Sequence, residues 1–99
     1  MKIIAHLIAP LAITLALAAT PATAACYADY KAKQDGPLRL HYGVAQVSDT
    51  ACADTGRAAA ELTPRLAQAG WTLLTIMSTF DETALQEKRA GAGDYFLRY

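Results

Sequence analysis

Two cysteines, Cys26 and Cys52, constrain this chain of 99 residues more than any other feature. Cys26 follows a run of small residues, where a cysteine is half of a disulfide, a lipid-attachment site or a reactive thiol. The choice depends on the compartment, because disulfides persist in oxidising environments and thiols stay reduced in the cytosol. The residues that precede Cys26 therefore matter for its role, because they can indicate the compartment.

Residues 1–24 have the layout of a secretory signal peptide. Lys2 supplies a positive n-region, a nearly continuous apolar run covers 3–19, and Ala22-Thr23-Ala24 matches an A-x-A cleavage site. A transmembrane anchor is the alternative, but the run is shorter than the ~20 residues that span a bilayer and Pro10 interrupts it. We predict cleavage after Ala24 and a periplasmic or secreted bacterial protein. Its product is a single domain, 25–99, without an integral membrane segment.

An even number of cysteines in a small exported chain predicts a disulfide between Cys26 and Cys52. A domain of this size buries only about 60% of the surface of its unfolded chain. A cross-link that stabilises it by roughly 3–4 kcal/mol is a large contribution. Two alternatives for Cys26 remain. Lipidation usually has Leu three places earlier, where this chain has Thr23, and a catalytic thiol needs a neighbour that lowers its pKa.

The first half of the domain is predicted to form a β-hairpin. Apolar residues alternate with polar or small ones from Leu38 to Ala45, which indicates a strand with one buried face and with His41 on the solvent-facing side. The Gly36-Pro37 pair before this strand is typical of a turn. The preceding segment, 27–34, alternates weakly, so a short helical turn is an alternative to a strand there.

A main helix is predicted over 53–69. Its apolar residues recur at the helical period, and Gly70 follows the end of the stripe. Pro64 lies within the stripe, so the helix is either kinked there or begins again there. The unbroken stripe favours one kinked helix.

The remaining elements complete an α+β domain in the order β-β-α-β-α-β. The apolar segment 71–80 is predicted as a central strand, 81–90 as a second helix capped by Thr79 and Glu82, and 94–99 as a final strand. The expected architecture is a small sheet of about four strands with one main helix packed on one face and one disulfide. If the strands at 38–47 and 71–80 are neighbours, the helix between them makes a right-handed parallel crossover.

The helix–strand junction L-x-x-x-G-W-x-L at 66–73 and the closing aromatic segment resemble a small bacterial domain family of unknown function. The matching positions are Tyr30-Lys31, Leu66, Gly70-Trp71, Leu73 and Phe96 to Arg98. Thr72 replaces the family's usual acidic residue, and the signal peptide, both cysteines and 81–93 lie outside the resemblance. It covers about half of residues 25–99. It implies the fold and no activity, because the family has none assigned.

Catalytic and metal chemistry find little support in the sequence. His41 is the only histidine after cleavage; a general base also needs an orienting carboxylate, and zinc needs three or four ligands. We therefore predict no catalytic residue, no metal and no cofactor. The chain has nine Lys or Arg and nine Asp or Glu, and this neutral balance argues against a nucleic-acid surface.

Aromatic and arginine residues are the best candidates for function, since Tyr and Arg dominate binding hot spots. The alternative is that they fill a small core. The candidate binding surface consists of Tyr27, Tyr30, Arg39, His41, Tyr42, Tyr95, Arg98 and Tyr99.

These predictions favour a non-catalytic binding or interaction protein of the bacterial envelope, with an envelope or secreted protein as its partner. Two other functions stay open. One is a small periplasmic hydrolase that uses His41, and the other is a lipid-anchored envelope structural protein attached through Cys26.

Overall fold

A computed structural model of the chain describes residues 25–99, and the predicted signal peptide, 1–24, lies outside the described residues. Three strands form one antiparallel sheet in the order β2-β1-β3. The strands are β1, Cys26–Gln34, β2, Arg39–Val47, and β3, Thr72–Asp81; the α-helices are α1, Thr55–Gln68, and α2, Leu85–Ala92; single 3-10 turns cover Asp49–Ala51, Glu82–Ala84 and Gly93–Tyr95. The α+β class is confirmed, and the expected fourth strand is wrong.

The predicted hairpin is present. β1 and β2 pair in continuous register from Cys26 opposite Val47 to Gln34 opposite Arg39. The turn between them contains Gly36, whose φ of 72° lies in the left-handed region that glycine adopts without strain. The weakly alternating first segment is therefore a strand, and it lies at the centre of the sheet.

Helix α1 follows the predicted stripe, with Ala58, Leu62 and Leu66 buried. Asp54 caps its N-terminus by accepting a hydrogen bond from the backbone N–H of Arg57 at 3.1 Å. Pro64 lies inside one continuous helix rather than at the start of a second one. Packing of the unbroken stripe offsets the hydrogen bond that proline removes.

The two helices cover opposite faces of the sheet. We call these the α1 face and the α2 face. The α1 face carries the larger core, in which Ala28 and Ala32 of β1 are completely buried. On the α2 face, Ala92 packs with Tyr27 and Val44 in a smaller cluster. The prediction placed a helix on one face only, because the short α2 has a weak apolar stripe.

The caps of the second helical segment differ from the prediction. Asp81, rather than Thr79, begins the 3-10 turn, and its carboxylate accepts a hydrogen bond from the backbone N–H of Thr83 at 2.9 Å. The α-helix itself then runs to Ala92, and Gly93 at the C-cap has a positive φ of 54°. Glycine ends the helix there at little conformational cost.

β3 is an edge strand, so the prediction of a central strand at 71–80 is wrong. Among residues 25–99 it pairs only with β1, antiparallel, and the register shifts twice, leaving Leu74 and Met77 without a partner residue on β1. The strands that α1 connects are consequently not neighbours, because β1 lies between them. High apolar content alone did not distinguish a central strand from an edge strand that is partly covered by a helix.

The C-terminal segment does not form the predicted strand. Tyr95 belongs to a 3-10 turn, and Phe96 makes an isolated parallel bridge with Val44. Leu97 then turns away with a φ of 61°, while its N–H donates to the carbonyl of Val44 at 2.8 Å. A positive φ at a non-glycine residue ends the extended conformation, so the segment lies along β2 without continuing the sheet.

The predicted Cys26–Cys52 disulfide is present, with Cα atoms 5.7 Å apart. It joins the start of β1 to the loop just before α1. Cys26 is completely buried, so this cross-link lies within the core on the α1 face.

Neither helix described in residues 25–99 is long and apolar enough to cross a membrane.

Candidate binding surface

The eight candidate binding residues do not share one face of the sheet. Tyr27 is buried on the α2 face, where its ring stacks on Phe80 at 6.0 Å. Tyr30 is completely buried on the α1 face. Because they are separated by three positions on one strand, they point in opposite directions, and neither presents a ring to solvent.

His41 lies in an aromatic cluster on the α1 face and not on the solvent-facing side that the alternation predicts. Only 7% of its surface is exposed. Its ring stacks on Tyr95 at 3.8 Å and meets Trp71 edge-on at 4.2 Å, and its Nε2 lies 3.0 Å from the Tyr30 hydroxyl. The C-terminal 3-10 turn brings Tyr95 into this cluster. The alternation of residues along β2 alone cannot predict this contact, because Tyr95 is distant in the chain.

The chemistry of His41 is that of a neutral core residue. Burial, together with the positive charge of Arg39, holds its pKa below the usual 6.5. Within residues 25–99 its Nδ1 has no hydrogen-bond partner, so no carboxylate orients the ring as a general base requires. In the same part of the chain, no group of three potential metal ligands comes together.

The hydroxyl of Tyr42 binds a buried carboxylate. Its hydroxyl donates to Asp29 at 2.8 Å, Ser78 donates to the same carboxylate at 2.6 Å, and the Lys88 ammonium lies 3.1 Å away. Burial raises the pKa of Asp29, but these three hydrogen bonds and the charge of Lys88 outweigh burial and leave the pKa below its usual value. The network ties α2 to all three strands, and the sequence did not indicate it because its members are far apart in the chain.

Three candidate residues remain. Arg39 begins β2, and its guanidinium lies 5.7 Å from the centre of the Trp71 ring. Tyr99 and Arg98 belong to the C-terminal segment that lies along β2. Tyr99 accepts a hydrogen bond from Arg65 Nε at 2.6 Å, and Arg65 also donates to the carbonyl of Gln46 at 2.9 Å. Arg98 is exposed beside them. A depression of about 230 Å³ lies here, lined by Ala45, Gln46, Arg65, Leu97 and Tyr99.

A second depression, of about 210 Å³, lies at the hairpin end of the α2 face and is lined by Lys31, Leu40, His41, Tyr42 and Leu74. We call Lys31, Leu40, Tyr42 and Leu74 the open sheet end. Register supports this grouping, because Lys31 on the central strand lies directly opposite Tyr42 of β2 and Thr75 of β3. Helix α2 packs on the other half of this face, where Tyr27 and Val44 lie.

The open sheet end exposes apolar side chains around a cation. Leu40 is 66% exposed and Leu74 is 49% exposed, and Leu38, two residues before Leu40, is exposed as well. Lys31 makes no ion pair with any residue of 25–99. The alternation predicted Leu38 and Leu40 to be buried. Leu38 lies in the hairpin turn, and Leu40 lies at the hairpin end of β2, outside the cluster that packs against α2.

A scan of protein-family models, a search of curated proteins and a search of solved structures each find no significant match to this chain. The resemblance to a bacterial family of unknown function therefore stays a prediction.

Proposed function

We propose that this protein is an exported, non-catalytic binding protein of the bacterial envelope, and that the open sheet end is its binding surface. The observation that carries the proposal is a solvent-exposed apolar depression on a sheet face that α2 leaves uncovered. Exposed apolar side chains next to one another mark interaction sites more often than isolated ones do.

The partner that fits this surface is an envelope or secreted protein with apolar side chains and a carboxylate. Leu40 and Leu74 offer apolar contact on the two sides, and Lys31 between them offers a positive charge without a partner in residues 25–99. An acidic group on the partner compensates this charge and fixes the orientation of binding.

Two observations support export and a non-enzymatic role. The Cys26–Cys52 bond fits an oxidising compartment, and a sulfur atom in a disulfide cannot carry a lipid at the same time. The hydrolase alternative needs an accessible, oriented His41, whereas this ring is buried against Tyr30, Trp71 and Tyr95.

Site-specific photo-crosslinking in the exporting cell tests the proposal. A benzophenone amino acid at Leu40 is expected to form an adduct with one envelope protein. The same amino acid at Ala60, exposed on α1 on the opposite side of the molecule, serves as the matched control. Equal adducts at both positions, or none at Leu40, contradict the proposal.

The partner identified in this way then allows affinity measurements. We expect Leu40→Lys and Lys31→Glu each to weaken binding about tenfold or more, which corresponds to about 1.4 kcal/mol. Ala60→Lys adds a charge to the opposite side and is expected to leave the affinity unchanged. An unchanged affinity in the first two variants would rule out the open sheet end as the binding surface.

A further inference from the structure

His41 is a buried histidine whose surroundings do not accommodate a second ring proton. Its Nε2 lies 3.0 Å from the Tyr30 hydroxyl, whereas its Nδ1 is buried and has no partner in residues 25–99. The neutral ring carries one proton, on either nitrogen, but the imidazolium always carries an N–H at Nδ1. Protonation in the folded protein therefore combines a buried charge with a buried N–H that has no acceptor, and both disfavour the cation.

The charged side chains around this histidine do not compensate a charge on its ring. Three cations come near the His41–Tyr30 pair: Arg39 of the same strand, Lys31 of β1 and Arg65 of α1. Burial raises the pKa of Tyr30, so its hydroxyl stays neutral. No carboxylate of residues 25–99 lies within ion-pair distance of the His41 ring. Uptake of a proton therefore requires water to reach the ring.

Three aromatic rings enclose His41, and they differ in how firmly they are held. Tyr30 is completely buried on the central strand, and Trp71 is 7% exposed and directly precedes β3. Tyr95 lies in the C-terminal 3-10 turn and is only partly buried, and its ring stacks on His41 at 3.8 Å. The face of Tyr95 attracts a cation but supplies no hydrogen-bond acceptor. Departure of Tyr95 is thus the opening that hydrates His41 with the least loss of structure.

The chain after Tyr95 is attached to β2 without a ladder of hydrogen bonds. Phe96 makes an isolated bridge with Val44 and packs, partly exposed, against the cluster on the α2 face. The Leu97 N–H donates to the Val44 carbonyl at 2.8 Å. Segments held in this way open locally at a lower free energy than paired strands do.

We propose that the C-terminal segment, 95–99, is an acid-released strap, which covers His41 at neutral pH and detaches when His41 takes up a proton. Detachment removes the Tyr95 ring and brings water to the imidazolium, while the sheet and both helices stay folded. It also removes Leu97 and Tyr99, which line the depression at the β2 edge. The strap therefore makes access to this edge depend on pH.

The size of the effect follows from the difference in protonation between the closed and open forms. Hydrated His41 in the open form titrates near the usual 6.5, and in the closed form it titrates at lower pH. Below pH 6.5 the open form takes up a proton that the closed form does not. The ratio of open to closed molecules then rises by up to about tenfold for each pH unit, until the pH falls below the pKa of the closed form.

Amide hydrogen exchange of the full chain, with its disulfide intact, measures the opening at Leu97. The exchange rate of this amide, divided by its intrinsic rate at each pH, is expected to rise about tenfold or more between pH 7.5 and pH 5. Low concentrations of denaturant are expected to leave this rate unchanged, because local opening exposes little surface, and to accelerate exchange in β1, which requires global unfolding. A corrected Leu97 rate that is constant with pH, or that responds to denaturant as β1 does, would overturn the proposal.

The substitution His41→Gln assigns the pH dependence to the ring. Glutamine does not titrate in this range, so the corrected Leu97 rate of the variant is expected to stay constant between pH 7.5 and pH 5. The same rise in the variant as in the unsubstituted chain would assign the opening to another group and contradict the proposal.

NMR titration of the His41 ring tests the same coupling without replacing the histidine. Tyr95→Ala removes the stacked ring and is expected to shift the pKa of His41 upward, towards 6.5. Tyr95→Phe is the matched control, because it keeps the ring and is expected to keep the low pKa. Equal pKa values in the unsubstituted chain and in Tyr95→Ala would show that the strap does not govern protonation. Crosslinking at Leu40 does not depend on any of these results, so this inference and the proposed function fail separately.

Discussion

Gly43 is the residue whose small size matters most to the core. It lies directly opposite Tyr30 in the β1–β2 ladder, and the Tyr30 ring crosses over it. A Cβ atom at this position would lie 2.5 Å from the Tyr30 hydroxyl oxygen. The missing side chain is thus what allows Tyr30 to reach His41 Nε2. The alternation of residues along β2 predicts which face of the sheet Gly43 lies on. It does not predict that the Tyr30 ring packs over Gly43 on that face.

We predict that Gly43→Ala lowers the free energy of unfolding by about 1–3 kcal/mol, because overpacking forces the Tyr30 ring to move. Denaturant unfolding measures this change. Gly91→Ala is the matched control, since its Cβ would meet the Tyr42 ring at an ordinary 3.4 Å. It lies in α2, where alanine is the better helix former, so we expect a change within about 1 kcal/mol. Equal destabilisation by both substitutions would contradict this account.

His41 makes the stability of the fold depend on pH. Its pKa in the folded protein is lower than the usual 6.5, because the ring is buried and Arg39 is close. Below pH 6.5 the unfolded chain takes up a proton that the folded chain does not, so stability falls as the pH is lowered. The fall ends once the pH is below the pKa of the folded protein. Asp29 adds a separate loss in more acidic solution, as the pH falls below its usual value of 3.8.

We predict that the free energy of unfolding decreases between pH 7 and pH 5, and that His41→Gln removes most of this slope. Glutamine retains a hydrogen-bonding group for Tyr30 and does not titrate. Denaturant unfolding at a series of pH values provides the measurement. A slope of the same size in His41→Gln would assign the pH dependence to another group.

At the scale of elements, α1 was the most predictable part of the fold. Its stripe of Ala58, Leu62 and Leu66 is local information, because one helix face is specified by residues three or four apart. The hairpin was predictable for the same reason, since its turn residues lie between two patterned segments.

The order of the strands was not predictable from such patterns. Alternation specifies which face a residue lies on but not which strand is adjacent. β1 looked weak because Asp29 and Lys31 interrupt its apolar residues, although it lies at the centre of the sheet. The Asp29 carboxylate is tolerated there because Tyr42, Ser78 and Lys88 surround it, and those partners come from three other elements.

The candidate binding surface was also predictable only as far as local sequence patterns allow. The sequence identified Tyr and Arg residues as candidates, but their neighbours in space decide between core and surface. Leu40 was predicted to be buried because it alternates with polar residues along β2. That pattern does not show how far a helix extends over the same face of the sheet, and α2 leaves the hairpin end uncovered.

At the scale of the whole molecule, the disulfide is the main constraint on the unfolded chain. It closes a loop with a sequence separation of 26. We predict that reduction, or the double substitution Cys26→Ala with Cys52→Ala, lowers the free energy of unfolding by roughly 3–4 kcal/mol. Denaturant unfolding with and without reductant measures this. If reductant lowers the stability of the double variant as well, the loss does not come from this bond.

The two edges of the sheet are covered to different extents, and this difference affects solubility. A sheet that is open on both sides can add further molecules without limit and grow into a fibre. Here Leu97 and Arg65 donate hydrogen bonds to the carbonyls of Val44 and Gln46, so within residues 25–99 the β2 edge is partly covered. Removing the last few residues would expose more of this edge, and we expect the shortened chain to aggregate more readily than the full one.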